Sequence, residues 1–287
     1  MLATQWAKLP DGEALAYDEY NLADPWLSPE AVVLVHGFSK NRRFWYQWIP
    51  ALARDYRVFV VDQRGHGDSA GALRPDAEID FRNFADDLAD FLDAVDVRAA
   101  HFVMAELSTS VAIQLAARHP ARVLSLVLPG TGALAGRAAP DGPAPTRVGG
   151  DWVQLLRERG SEAWARETNS VRLPKDAPEG LREWYISEQA RMAPEVLIKV
   201  FQSSPSRSVA DLLPQVTVPT LMIGGSEAMH ASPEDLHKAA AAIPNCQVRI
   251  LEGMPFNVMN AAPEACIEVT LDFLAGFSTG ASERLNA

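Results

Sequence analysis

Positive charge is scarce in this sequence: Lys and Arg number 26 against 37 Asp and Glu, a formal net charge of −11 over 287 residues. That balance argues against a nucleic-acid partner, which needs a basic face for the phosphate backbone, and gives no reason to expect an anionic membrane surface. Cysteine is nearly absent. Cys246 falls at the start of a predicted strand and Cys266 inside the last predicted helix, without zinc-ligand spacing, so both read as small core fillers and no metal site is expected. No apolar stretch reaches the ~20 residues that span a bilayer. The segment Met1 to Pro10 lacks the basic region and apolar run of a secretory leader. The expectation is a cytoplasmic protein of a reducing compartment, with no membrane partner.

What is present is ordinary for a globular protein: 48% hydrophobic and 22% charged residues, enough for a sizeable core without disulfides or metal. Strand-like runs alternate with helical patterns, the signature of a mostly parallel sheet covered on both faces. A hairpin is predicted near Ala14 to Tyr20, and strands over Ala31–Val35, Arg57–Val61, His101–Ala105 and Val123–Leu128. Helical patterns cover Arg43–Arg54, Phe81–Val95 and Leu107–His119, the second with Phe84, Leu88, Phe91 and Leu92 on one face. From about Leu134 to Ser208 the alternation breaks into a Pro- and Gly-rich, charged stretch with short helices around Trp152, Trp164 and Trp184-Tyr185. It resumes with strands Pro219–Gly224 and Gln247–Leu251 and helices Pro233–Ile243 and Pro263–Phe277. The expected organisation is a core of residues 1–133 and 209–277, a helical cap of 134–208 and a flexible tail of 278–287.

Several landmarks then arrive in a telling order. His36-Gly37-Phe38 follows a strand, and Asp62-Gln63-Arg64-Gly65-His66-Gly67-Asp68-Ser69 follows the next. His119-Pro120 closes a helix, Pro219-Thr220-Leu221 opens a late strand, and Ala262-Pro263-Glu264 opens the last helix. Over residues 10 to 277 this pattern resembles the α/β-hydrolase superfamily. The resemblance implies an α/β fold with an eight-stranded, mostly parallel sheet and a helical cap insertion.

It also implies where a Ser-His-Asp triad should lie, and none of the three positions fits. The nucleophile elbow of the family, G-x-S-x-G, corresponds to Met104-Ala105-Glu106-Leu107-Ser108, with Glu106 at the serine. The acid position falls on Ala228, or on Glu227 with a one-residue slip, and the base position on Phe256. By the same resemblance the oxyanion hole would use the backbone N–H groups of Phe38 and Leu107, and the pocket would draw on His36, Ser39, Met229, Phe256, Trp152 and Trp184.

Chemistry without a serine nucleophile is therefore expected. Ser108 is the nearest hydroxyl, but its simplest role is at a helix N-terminus. Glu106 stands either as a general acid/base tuned by burial, as a nucleophile like the elbow carboxylate of dehalogenases, or as a helix-N-terminal carboxylate with no chemistry. His230 is the best spare acid/base, while His66, His101, His119 and His237 read as structural. Lys40, Arg42 and Arg43 read as a solvated loop able to meet an anionic group. The leading expectation is a cofactor-independent lyase, isomerase or cyclase acting on a small apolar carbonyl compound, with Glu106 abstracting a proton beside two oxyanion-hole donors. Two alternatives stay open: a degenerate ligand-binding or interaction protein, and an atypical hydrolase with a carboxylate at the elbow. No cofactor is expected, the partner is a small molecule, and the sequence leaves room for a homodimer.

Overall fold

A computed structural model describes residues 3–73, 77–131, 151–169, 172–203, 208–228 and 231–277. Eight strands form one sheet in the order β1-β2-β4-β3-β5-β6-β7-β8. Strands β1 (Gln5–Lys8) and β2 (Ala14–Tyr20) form a hairpin, so the segment Ala14–Tyr20, where a hairpin was expected, is its second strand; β2 also pairs antiparallel with β4 (Arg57–Val61). From β4 onward all pairs are parallel: β3 (Ala31–Val35), β5 (Ala100–Met104), β6 (Val123–Pro129), β7 (Thr220–Gly225) and β8 (Cys246–Leu251). The runs Val32–Val35 and Phe102–Met104 are fully buried, as expected of parallel strands covered on both faces.

One face of the sheet carries α2 (Phe81–Ala94) and α3 (Ser108–Arg118), and its apolar layer includes Val33, Phe59, Phe84, Leu88, Phe91 and Phe102. The other layer gathers Leu34, Phe44, Trp45, Trp48, Val60, Val103 and Val127 with Met259 and Phe273 of the C-terminal helices. The last of these helices spans Pro263–Ala275.

The predicted helix Arg43–Arg54 is instead two pieces, a 3-10 turn Arg42–Trp45 and the short helix α1 (Ile49–Leu52). Pro50 explains the break: it has no N–H to donate, and its ring collides with the carbonyl four residues earlier.

Cap helices α4 (Trp152–Thr168), α5 (Glu179–Ala190) and α6 (Pro194–Gln202) lie between β6 and β7 in sequence, with α4 kinked at Gly160, where φ is +77°. They share a small apolar core of Leu156, Trp164, Ile186 and Leu197 against Phe38. Strand order reverses at β3, whose neighbours β4 and β5 continue in opposite directions along the sheet. In open α/β sheets that reversal creates a crevice at the carboxyl ends of the strands, between the loops that leave them. Here those loops carry residues 36–41 and 106–107.

Among the described residues, no helix is long and apolar enough to cross a membrane and no group of three or more His, Cys, Asp or Glu is arranged to hold a metal ion.

Candidate active site

Glu106 sits in the turn that joins β5 to α3, with φ at +54°. A left-handed conformation at a non-glycine residue costs roughly 1–3 kcal/mol and persists only where its surroundings impose it. The constraint is visible in the backbone. The Ala105 N–H donates to Val35 O and the Glu106 N–H to Pro129 O, so both neighbouring strands clamp the turn. Two glycines make room for the side chain. A Cβ on Gly37 would collide with Glu106 Oε2 and come within 2.9 Å of its Cβ. A Cβ on Gly130 would sit 3.4 Å from Glu106 Cγ and 2.9 Å from the Phe256 carbonyl oxygen.

The carboxylate is 7% exposed and meets a buried cation. Lys40 Nζ lies 2.7 Å from Glu106 Oε1, 2.7 Å from Asn257 Oδ1 and 3.2 Å from Asn260 Oδ1. Three acceptors match the three N–H donors of an ammonium. The aromatic faces of Phe44 and Tyr185 flank it, each centroid 5.2 Å from Nζ. Both amides are themselves anchored, Asn257 Nδ2 donating to the Tyr185 hydroxyl at 3.0 Å and Asn260 Nδ2 to Phe44 O at 3.0 Å. Burial pulls the Lys40 amine below its ordinary value, and the Glu106 charge pushes it back up. The Tyr185 hydroxyl is held well above its ordinary value, first by burial and then by the Glu106 charge, so it stays protonated.

This corrects the sequence reading of residues 40–43 as a solvated loop. Lys40 is 2% exposed and belongs to the site. Arg42 is also buried, ion-paired to Asp18, Asp62 and Asp68, where it fixes the loop rather than meeting a ligand. Only Arg43 is half exposed, and it pairs with Glu188 of the cap at 3.2 Å.

The remaining expected residues take varied places. His36 braces the loop after β3: its Nδ1–H donates to Gly37 O, and Nε2 accepts the Gln63 N–H at 3.1 Å. Burial holds this ring near 4, so it stays neutral. Ser39, at φ +58°, accepts a hydrogen bond from Gln189 Nε2 of α5 at 2.6 Å. The Ser108 hydroxyl donates to His36 O at 2.6 Å and accepts from Gln63 Nε2, so it braces the neighbouring loop instead of capping its own helix. Phe38 packs edge-on to Trp164, and Leu107 leads into α3. Trp152 packs on Trp164, and Trp184 packs on Phe44 and Tyr46. Phe256 is half-buried, with its carbonyl beside Gly130 and therefore next to Glu106. Ala228 donates its N–H to Gly225 O after β7, while Glu227 is exposed. His230 and Met229 lie outside the described residues, as does part of the expected cap, residues 134–150.

The sequence reading did not place Lys40, Asn257 or Asn260 in the site, and it read Tyr185 only as one of the aromatics of the cap. Sequence offers only adjacency here: residues 40 and 257 stand beside Ser39 and Phe256, positions already counted toward the site, and nothing in the sequence says that they meet.

A family model described as alpha/beta hydrolase fold matches residues 30–259. The chain belongs to that family. A protein of Stutzerimonas stutzeri with the provisional name carbamate hydrolase RutD is 26% identical over 265 residues, covering 87% of this chain and 94% of the relative. Among solved structures, the enol-lactonase of Burkholderia xenovorans superposes with a TM-score of 0.82 at 21% identity, over 94% of this chain and 100% of that one. A thermophilic esterase of Thermogutta terrifontis gives 0.81 at 23% identity, over 97% and 100%. At such identities the structural likeness speaks for the fold.

Proposed function

We propose that this chain is an acid–base enzyme acting on a small carbonyl compound, with Glu106 as the proton acceptor and Lys40 as the cation that stabilises the resulting oxyanion. The observation that carries the reading is the 2.7 Å pair between Lys40 Nζ and Glu106 Oε1 at the strained turn after β5. A carboxylate alone would oppose a developing enolate. With an ammonium beside it the charges balance throughout. Before transfer the pair is Glu⁻ and Lys⁺; afterwards Glu106 is neutral and Lys⁺ faces the enolate. Preorganised cations and N–H groups of this kind stabilise a developing oxyanion by roughly 3–4 kcal/mol per donor in a water-poor site. Proton return to another atom gives isomerisation, and departure of a β-substituent gives elimination. Neither outcome needs a serine, an acyl-enzyme or a histidine.

Glu106 and Lys40 are both buried, and on this reading substrate reaches them by displacement of α5, whose Tyr185 ring flanks the Lys40 ammonium. That helix holds the loop after β3 through Gln189 to Ser39 and Glu188 to Asn41 and Arg43, and the loop after β8 through Tyr185 to Asn257.

A second reading keeps the same residues but lets Glu106 activate water, making the chain a hydrolase. It is favoured by the provisional name of a relative over most of its length, a carbamate hydrolase.

The experiment that separates them incubates the protein and Glu106→Gln with small ketones in D2O, and with short lactones, carbamates and aryl esters. Deuterium entry beside the carbonyl that disappears in Glu106→Gln supports proton abstraction. Hydrolysis lost in the variant, without exchange, moves the assignment to the second reading. Activity that survives the substitution, or none of either kind, overturns both.

A further inference from the structure

Arg172 is a cation for which the proposed chemistry has no use. It stands between α4 and α5, donates to Thr168 Oγ1, and stacks its guanidinium on the Trp164 ring at 4.6 Å. Trp164 is fully buried and packs on Phe38, which opens the loop that carries Lys40. The next residue, Leu173, is buried in the same apolar cluster as Phe44 and Tyr185, the two rings that flank the Lys40 ammonium. Arg172 is thus lodged at the junction of cap and core, against the loop that positions the site.

Among the described residues no carboxylate lies within ion-pair distance of Arg172; its recorded partners are a hydroxyl and a ring. It is nonetheless felt in the site. Its charge lowers the Lys40 amine and the Tyr185 hydroxyl, while Glu106 acts back on Arg172. Lys40 and Arg172 against Glu106 leave one surplus positive charge. Arg172 is partly buried; a charge so placed without a counter-charge is costly, and the economical partner for a guanidinium is a carboxylate, which its planar fork binds through two parallel N–H groups.

We propose that Arg172 is the seat of a carboxylate subsite, so that the substrate is a short oxo acid whose carbonyl lies at the Lys40–Glu106 pair while its carboxylate is held by the cap. The inference rests on the acid–base reading of that pair, which it refines by naming the substrate class. It also gives the cap a reason to close, because the anion tethers the segment before α5 to a molecule seated on the core.

The test reads binding, not turnover. The full-length Glu106→Gln protein, which does not consume the probe, is titrated by calorimetry with 4-oxopentanoate and with its uncharged counterpart 2-pentanone. The expected result is a preference of about tenfold or more for the acid, the usual worth of a charge-assisted hydrogen-bonded contact. Adding Arg172→Gln should erase that preference without weakening 2-pentanone binding. Adding Arg172→Lys should leave only part of it, since a point charge cannot form the fork. Where Arg172→Gln fails to fold, Arg172→Lys decides alone. Equal binding of the two probes, no binding of the acid, or a preference untouched by either substitution overturns the subsite. A preference for the acid in a protein that shows no proton exchange would keep the subsite and sink the acid–base reading.

Discussion

Removing Lys40 alone should damage the protein more than removing both partners of its ion pair. In Lys40→Met the methylene stem still fills the space between Phe44 and Tyr185, but Glu106 Oε1 loses the cation 2.7 Å away while the carboxylate stays only 7% exposed. Breaking a buried pair on one side costs roughly 3–5 kcal/mol, because the remaining charge is stranded. For a domain of this size each kcal/mol lowers the melting temperature by about 2 °C, giving a fall of roughly 6–10 °C. The reverse variant, Glu106→Met, should cost about 1–2 kcal/mol less, since the ammonium keeps Asn257 Oδ1 at 2.7 Å and Asn260 Oδ1 at 3.2 Å. In Lys40→Met/Glu106→Met no charge is stranded, so the double variant should be more stable than Lys40→Met. The cycle should then show a coupling of about 2–3 kcal/mol. Urea unfolding of the four proteins at pH 7 measures all three terms. Additive costs, or a Lys40→Met penalty below about 1 kcal/mol, would refute the argument by showing that water or movement already relieves the pair.

Acidification should weaken the fold through two buried rings, His36 held near 4 and His66 near 3, both by burial, against the ordinary imidazole value of 6.5. Because these values lie below the unfolded one, the unfolded chain takes up protons first: the contribution is intact above pH 6.5, falls by about 2 kcal/mol per ring at pH 5, and keeps falling toward the folded values. His66→Gln should accordingly flatten the dependence of unfolding free energy on pH between 7 and 5, and an unchanged slope would count against it. Gly37→Ala should abolish whatever activity Glu106 supports and cost about 1–3 kcal/mol, because the new methyl occupies the place of Glu106 Oε2. Full activity in a purified, folded Gly37→Ala would mean that the carboxylate position described here is not the working one.

Most of the framework could be read from the sequence because it is periodic. Parallel strands buried on both faces are continuous apolar runs, and α2 shows its apolar stripe at Phe84, Leu88, Phe91 and Leu92. Where a local rule competed with the period, the local rule won, as at Pro50. Glu106 could be found because its position is tied to the elements around it. Its partners could not. Lys40 and Asn257 are 66 and 151 residues away in sequence, on loops that leave different strands, and no pattern within either segment says that they meet. A lysine between Ser39 and Asn41 reads as solvated by composition. It is buried because three acceptors converge on it, which only the folded chain reveals.

The cluster also explains why its unusual residues belong together. A glutamate at a left-handed turn is strained, and a buried lysine is costly, yet each answers a problem the other creates. On the proposed reading, without Lys40 the enolate formed as Glu106 takes up the proton would have no cation beside it. Without Glu106 the ammonium would retain two amide oxygens but have no counter-charge. Asn257 and Asn260 also hold Nζ, and both are neutral, so they orient the cation without cancelling its charge. A carboxylate in either place would have neutralised Lys40 a second time and removed its pull on an oxyanion. A histidine there would have added a competing base. On the proposed reading the amides are the residue type that leaves one base and one cation facing the substrate. On that reading the working unit is the set of Glu106, Lys40, Asn257 and Asn260, and placing a serine at position 106 alone would leave a buried ammonium beside a hydroxyl with no base to activate it.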